Sequence, residues 1–417
     1  MRVLLPCLVF LSLMPPPASA QEFLPAPELA ARSINDHPLV ARAEAALRAA
    51  TADARRLAAG DHEFVAAAGY TRRDIEGDRR YDEWEGSISR AFRLPGKAGL
   101  DRRAGVLGIT AQENALDDAR HQTALKLADV WMAWVGAEAH AHLDAEDVRA
   151  WEQEQAAMAR RVALRDAAPL DLDRIGAGLA LARTAAVRSA GQAHVARMAL
   201  TREFPGLSLP KDAPRPKDPA LPERGLSAWF DVIVARSHEL HFAEAEAERQ
   251  AVLARRQALD RWADPSVGVR VFSERGGAEN GVGLFLSVPL GGPHRRALAD
   301  RALAEASAAV VDLEMTRREI EGVAERDIAE VESSFSAWQH ARQALDAGER
   351  AFVRTRRGYA LGDIDLADLL TLRRQQQELA RAELQARIDA NVALLKLRID
   401  AHELWLQPHK DHPDEQM

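Results

Sequence analysis

Arg160-Arg161-Val162-Ala163-Leu164-Arg165-Asp166, with Asp171-Leu172 just beyond, returns as Arg357-Gly358-Tyr359-Ala360-Leu361-Gly362-Asp363, with Asp368-Leu369 just beyond. Arg357 lies 197 positions after Arg160. Ala54-Arg55-Arg56 returns as Ala254-Arg255-Arg256, 200 positions on, and the turn residues Pro95-Gly96 have a counterpart in Pro289-Leu290-Gly291-Gly292. Three matches in one order at nearly constant spacing imply a tandem structural repeat. A duplicated helix–hairpin–helix unit builds the wall of a tube and requires no catalytic centre.

Outward from these landmarks, six prolines (Pro205, Pro210, Pro214, Pro216, Pro219 and Pro222) exclude a helix from 205–222. The stretch divides a first repeat at 21–204 from a second at 223–405, leaving a short polar tail at 406–417 that reads as disordered. Each half predicts an Ala-, Arg- and Glu-rich helical stretch (27–59 and 226–262), a strand patch, a very long helix (98–164 and 296–357) and a return helix (171–203 and 365–404). A run of about 65 residues would reach about 100 Å, beyond any ordinary globular helix. In the second long helix Leu303, Ala306, Val310, Leu313, Ile320 and Ala324 form an apolar seam that Arg317 interrupts. Ile328, Val331, Phe335 and Trp338 continue it after an extra four-residue step, which suits coiled-coil-like packing with a local unwinding.

The strand patches are 64–74 with 83–93, and 266–275 with 280–288. Val267, Val269 and Val271 alternate with other residues, as do Val282, Leu284, Leu286 and Val288, the two-residue period of a strand with one apolar face. Each strand is about ten residues long, enough to cross a bilayer when tilted. Trp84 and Tyr81 are candidates for an interfacial aromatic belt.

The first twenty residues read as a secretory signal: Arg2, an apolar run to Met14, then Ala18-Ser19-Ala20 before Gln21. No later segment has the apolar length of a membrane helix. The only cysteine, Cys7, lies in that signal, so a processed chain has no disulfide, thiolate or cysteine ligand. The formal net charge of −8 disfavours nucleic acid, whose phosphates need a basic face.

Four strands cannot close a barrel, and lipid tolerates no open sheet edge, so copies of the chain must share one sheet. The predicted fold is mainly α with a small β part. Long antiparallel helices form an α-barrel of coiled coils, and two β-hairpins per chain contribute to a 12-stranded transmembrane barrel in a homotrimer.

With its Pro-Gly turns at Pro95 and Pro289, its duplicated order and its Arg357–Asp363 helix–turn–helix followed by Asp368-Leu369-Leu370, the chain resembles the TolC-type outer-membrane efflux factors. The resemblance covers essentially all of the sequence after the signal, and His37-Pro38-Leu39 is similar to the heavy-metal efflux branch. It implies an outer-membrane duct with its helical body in the periplasm, a periplasmic adaptor protein, and an inner-membrane pump of the RND type. It also implies that Pro95, Gly96, Pro289, Gly291 and Gly292 join barrel to helix. Arg160, Leu164, Arg357, Gly358, Leu361 and Gly362 would form the adaptor-docking tip, and Asp171, Tyr359, Asp363, Asp365 and Asp368 the periplasmic gate. In that scheme Asp171 and Tyr359 tie neighbouring helices together, and Asp368 belongs to a ring of acids. The chain departs from the family at Ile364, Thr371 and Arg165, where an arginine, a second acid and a glycine are usual. Capping competes with gating for Asp171, Asp363 and Asp365, because carboxylates beside helix starts accept from free N–H groups.

No catalytic motif is present, so the chain reads as a non-enzyme without cofactors. Among the thirteen histidines, His140 and His142 point to different helix faces, and His238, His241 and Glu244 read as a solvated group, so no metal site is expected. Trp131 and Trp134 read as packing anchors. Passage of metal ions or small toxic compounds is the favoured function. A type I protein-secretion conduit, and less so a coiled-coil adaptor, are the alternatives.

Overall fold

The computed structural model describes residues 23–406. The expected signal and Cys7, and the tail from Gln407 with His409 and His412, lie outside the described residues. The elements in order are α1 (Pro27–Asn35), α2 (Pro38–Ala59), β1 (Phe64–Arg73), β2 (Tyr81–Ala91), α3 (Lys97–Ala163), α4 (Pro169–Glu203), α5 (Ala228–Arg236), α6 (His238–Leu259), β3 (Ser266–Glu274), β4 (Glu279–Ser287), α7 (Pro293–Leu361) and α8 (Leu366–Asp400). The succession short helix, helix, hairpin, long helix, return helix occurs twice. The two short helices have 9 residues each, the next pair 22 each, and the return helices 35 each.

Two of the expected helices are each split in two. Pro38 forbids its predecessor an α conformation, so His37 turns extended and its Nδ1 accepts from the Leu39 N–H at 3.2 Å, opening α2 afresh. Ser237 does the same for α6, its hydroxyl accepting from the Leu240 N–H at 3.2 Å. His37-Pro38-Leu39 therefore has a local explanation as a helix start.

The chain forms two compact units, one from 23–36, 124–227 and 327–406, the other from 37–123 and 228–326. In the first, Trp131 and Trp134 are 3% and 0% exposed and meet edge to face, with centroids 5.2 Å apart. Leu127, Leu200, Phe204, Ile388, Leu395 and Ile399 pack around them, and the Trp131 indole donates to the Phe23 carbonyl at 2.9 Å. Both tryptophans are packing anchors. The proline-rich stretch lies along these helices as a strap: Asp218 accepts from Arg342 of α7 at 2.8 Å and pairs with Arg387 of α8, while the Lys217 carbonyl takes the Asn391 amide.

In the second unit α3 approaches α2 so closely at Gly105 that a Cβ there would stand 2.9 Å from the Ala54 Cα. The seam expected along α7 is divided in this unit. Ala299, Ala306 and Ile320, at steps of seven and fourteen with half-buried Leu313 between the last two, are buried, whereas Leu303 and Val310 are 64% and 58% exposed on a neighbouring stripe. A seven-residue step keeps one face inward, and the intervening leucine and valine fall about a turn's width aside.

The second unit also holds one four-stranded antiparallel sheet in the order β1-β2-β3-β4. β2 starts at Tyr81, two residues earlier than expected. Register sets the two faces. Ala66, Ile88, Val269 and Leu284 stand opposite one another across the four strands, as do Ala68, Gly86, Val271 and Val282. On this face Ile88, Leu284, Leu286 and Val282 are 50–83% exposed. The opposite face carries Ser87, Ser89, Glu85 and Arg270, with an Arg270–Glu85 pair at 2.7 Å. There the rings of Phe285 and Phe272 lie over Gly268 and Gly281 of the adjacent strand, where a Cβ would come within 2.5 and 2.2 Å of ring carbons. Tyr70 and Trp84, paired across β1 and β2, are exposed aromatics of the apolar face, as is Phe64 at the start of β1. Tyr81 is only 7% exposed, belongs to the opposite face by register, and donates its hydroxyl to Asp78, which removes it from the expected belt.

Candidate functional site

The two helix turns in the first unit are built alike. At the end of α3 the Asp166 N–H donates to the Arg161 carbonyl at 2.8 Å and the Arg165 N–H to Val162 at 3.0 Å. At the end of α7 the Asp363 N–H donates to Gly358 at 2.9 Å and the Gly362 N–H to Tyr359 at 3.1 Å. This paired pattern closes a helix around one left-handed residue. That residue is Gly362 with φ +84° in one turn and Arg165 with φ +60° in the other. Arg165 thus occupies the one conformation for which glycine is suited.

Beneath the turns lies a core of Trp151, Met158, Ile175, Leu179, Leu366, Leu369 and Leu370, with Tyr359 packed at its edge. The Tyr359 hydroxyl accepts from the Arg161 guanidinium at 2.8 Å, and Arg161 also donates to the Asp166 carboxylate at 2.8 Å. Asp166 first, then Tyr359, hold Arg161 more firmly protonated than usual. Asp171 lies in the first turn of α4 rather than before it and pairs with Arg174 at 3.6 Å. Within the chain, then, Tyr359 and Asp171 have different partners. Asp365 caps α8, its carboxylate accepting from the Asp368 N–H at 2.9 Å. The side chains of Asp363 and Asp368 are exposed, as are Leu164, Leu361, Arg160 and Arg357. Arg160 donates to the Ala156 carbonyl one turn back. Gly358 admits Ile364: a Cβ there would come within 2.8 Å of the Ile364 side chain.

Behind these turns Arg373 is 5% exposed, stacks on Trp151 at 4.2 Å, and pairs with Asp147 at 3.3 Å and with Glu154. Burial raises the Glu154 carboxyl above its ordinary value despite Arg373.

The strand-to-helix junctions in the second unit differ from one another. Pro95 and Gly96 occupy the centre of a turn from Leu94 to Lys97, with Gly96 at φ +90°, which is the type II arrangement. Gly291 serves closeness instead, since a Cβ there would stand 2.5 Å from the Arg261 carbonyl oxygen. Pro289 and Gly292 belong to a link without regular structure that leads to Pro293, the first residue of α7. Just past the first turn, Lys97 is 1% exposed. Its ammonium donates to the Trp262 carbonyl and pairs with Asp260 and Asp264, all at 2.7–2.8 Å. Asp264 also accepts from the Leu94 N–H at 2.9 Å. Burial pushes the Asp264 carboxyl up, yet Lys97, the Leu94 N–H and His62 together hold it below its ordinary range.

Sequence reasoning missed Arg161, Arg373 and the Lys97 cluster. Their only local signals were charged residues at the turns; their partners lie from five to more than two hundred positions away.

No protein-family model and no curated protein sequence matches the chain. Solved structures do. A membrane protein from Pseudomonas aeruginosa superposes with a TM-score of 0.76 at 16% identity, covering 90% of this chain and 89% of that one. CusC, described for its transmembrane channel formation, gives 0.74 at 15% identity, covering 90% and 91%. The Campylobacter jejuni CmeC outer membrane channel gives 0.70 at 12% identity, covering 90% and 84%. The chain has the fold of these channels. At such identities the likeness speaks for architecture alone.

Proposed function

We propose that the chain is the outer-membrane exit duct of a tripartite efflux system. The observation that carries this reading is the four-stranded sheet with one exposed apolar face and two open edges. Val282, Leu284 and Leu286 are 65–83% exposed. So large an apolar face is unstable in water, and unpaired edges are unstable in lipid. Both problems disappear when three copies join edge to edge into a 12-stranded barrel, apolar face outward and the Arg270–Glu85 face lining a wet lumen. In this reading 21–204 and 223–405 are two structural repeats joined by 205–222, and residues 1–20 direct export.

The duct is passive: the pump does the work and an adaptor docks at the helix turns. Leu164 and Leu361 would offer apolar contacts there, with Arg160, Arg357, Gly358 and Gly362 around them. Tyr359, Asp171, Asp363, Asp365 and Asp368 form the constriction, with Arg161 as an added member because it already holds Tyr359. Metal ions or small toxic compounds are the proposed cargo.

Fractionation tests the core of the proposal. The reading expects the chain in detergent-extracted outer membrane as a trimer that forms channels in a planar bilayer. A water-soluble monomer would refute it. Growth of a deletion strain across a panel of metals and drugs then identifies the cargo, and loss of polypeptide export instead would favour the secretion conduit.

A further inference from the structure

In the second unit, three side chains that sequence spacing does not unite converge where α3 meets the start of α6. Asp118 and His121 are three residues apart on α3 and share a face. Glu239 is the second residue of α6. One ligand atom from each lies within 4.8 Å of the other two. The His121 side chain is 8% exposed, with its Nδ1 3.7 Å from a Glu239 carboxylate oxygen. Two carboxylates and a buried imidazole at such range form a donor set of concentrated negative charge, and a cation would relieve their repulsion.

We propose that Asp118, His121 and Glu239 form a binding site for a divalent cation of the zinc class. One imidazole nitrogen with two carboxylate oxygens suits zinc or its first-row neighbours better than magnesium or calcium, which prefer oxygen alone. Bond lengths near 2 Å put tetrahedral ligand atoms roughly 3.3 Å apart, so a pair of donors at the 4.8 Å limit would close by about 1.5 Å. Rotation about the side-chain bonds can supply such a shift. Three protein ligands leave the fourth position to water. The surroundings already orient the donors: the Gln122 amide donates to Asp118 at 3.2 Å and to Glu239 at 3.3 Å, and the Ser237 hydroxyl donates to the other Glu239 oxygen at 2.9 Å. Contacts of this kind around ligating carboxylates raise metal affinity about 10- to 100-fold. A bound ion would tie α3 to α6. The inference stands on these two helices and is independent of the duct proposal.

The test is zinc titration calorimetry on the untagged, chelator-stripped full chain in detergent. The wild type is expected to bind one zinc per chain at this site, with affinity falling at least about tenfold in each of D118N, H121Q and E239Q. H140A/H142A and H409A/H412A are expected to retain it. Because a variant could lose its fold, zinc-edge X-ray absorption on the wild type gives a second reading: a low-coordinate shell of nitrogen and oxygen near 2.0 Å with an imidazole signature. No binding by the wild type, equal binding by folded D118N, H121Q and E239Q, a shell without imidazole, or a response to calcium or magnesium alone would overturn the assignment.

Discussion

The two helix turns provide a matched experiment on one backbone conformation. A left-handed residue other than glycine carries about 1–2 kcal/mol of steric cost, whereas glycine gives back about 0.5–1 kcal/mol through its extra freedom in the unfolded chain. Arg165 is exposed, so R165G should stabilise its turn by about 1 kcal/mol. Nothing stands within 4 Å of a Cβ built on Gly362, so the cost of G362A is conformational rather than steric, again about 1 kcal/mol but of opposite sign. The direct readout is native-state hydrogen exchange at the closing amides. The Asp166 N–H, held by Arg161, should exchange roughly fivefold more slowly in R165G, and the Asp363 N–H, held by Gly358, roughly fivefold faster in G362A. If R165G leaves the Asp166 amide unchanged or speeds it, the claim that this turn stores strain at Arg165 is wrong.

Four further outcomes are expected. K97M strips the ion partner from Asp260 and Asp264 and should cost about 3–5 kcal/mol in chemical denaturation, while K97R retains most of the stability. L284R places a cation in the middle of the apolar face and should cost about 2–4 kcal/mol of insertion, read as loss of protein from reconstituted liposomes; G283S on the other face should insert normally. Y359F combined with D171A should raise single-channel conductance in a planar bilayer, and unchanged conductance would remove both residues from the constriction. Burial first, then Asp400, raises the Asp327 carboxyl from 3.8 to about 7, with Lys396 opposing them. The folded chain therefore binds this proton more tightly than the unfolded one, so the contribution is full below about pH 4 and is lost as pH rises to about 7. At about 1.4 kcal/mol per pH unit the ceiling is about 4 kcal/mol, and D327N should flatten that part of the thermal-midpoint profile.

Period and breakers were legible in the sequence because they are local. The alternation of Val282, Leu284 and Leu286 identified β4 and its apolar face, and Pro205 to Pro222 marked a stretch without helix. The interruptions at His37-Pro38 and Ser237 were equally local, yet the helical composition on both sides masked them. Tyr81 misled because an aromatic beside a hairpin turn suits either face, and register assigns it away from Trp84. Neither the Arg161–Tyr359 bond nor the meeting of His121 with Glu239 has a sequence signature, since tertiary packing alone decides which distant helices touch. The left-handed arginine was visible as an oddity at Arg165; that the turn keeps its geometry without glycine was not.

The proline-rich strap has a mechanical corollary. Asp218 grips Arg342 and Arg387, which belong to successive antiparallel helices, and the Lys217 carbonyl grips Asn391, one turn beyond Arg387. Prying α7 from α8 at this level must snap those anchors or drag the belt along, and prolines leave the belt little slack. Any dilation of the helices would therefore be hinged away from this girdle, with the free turns swinging more widely than the strapped waist.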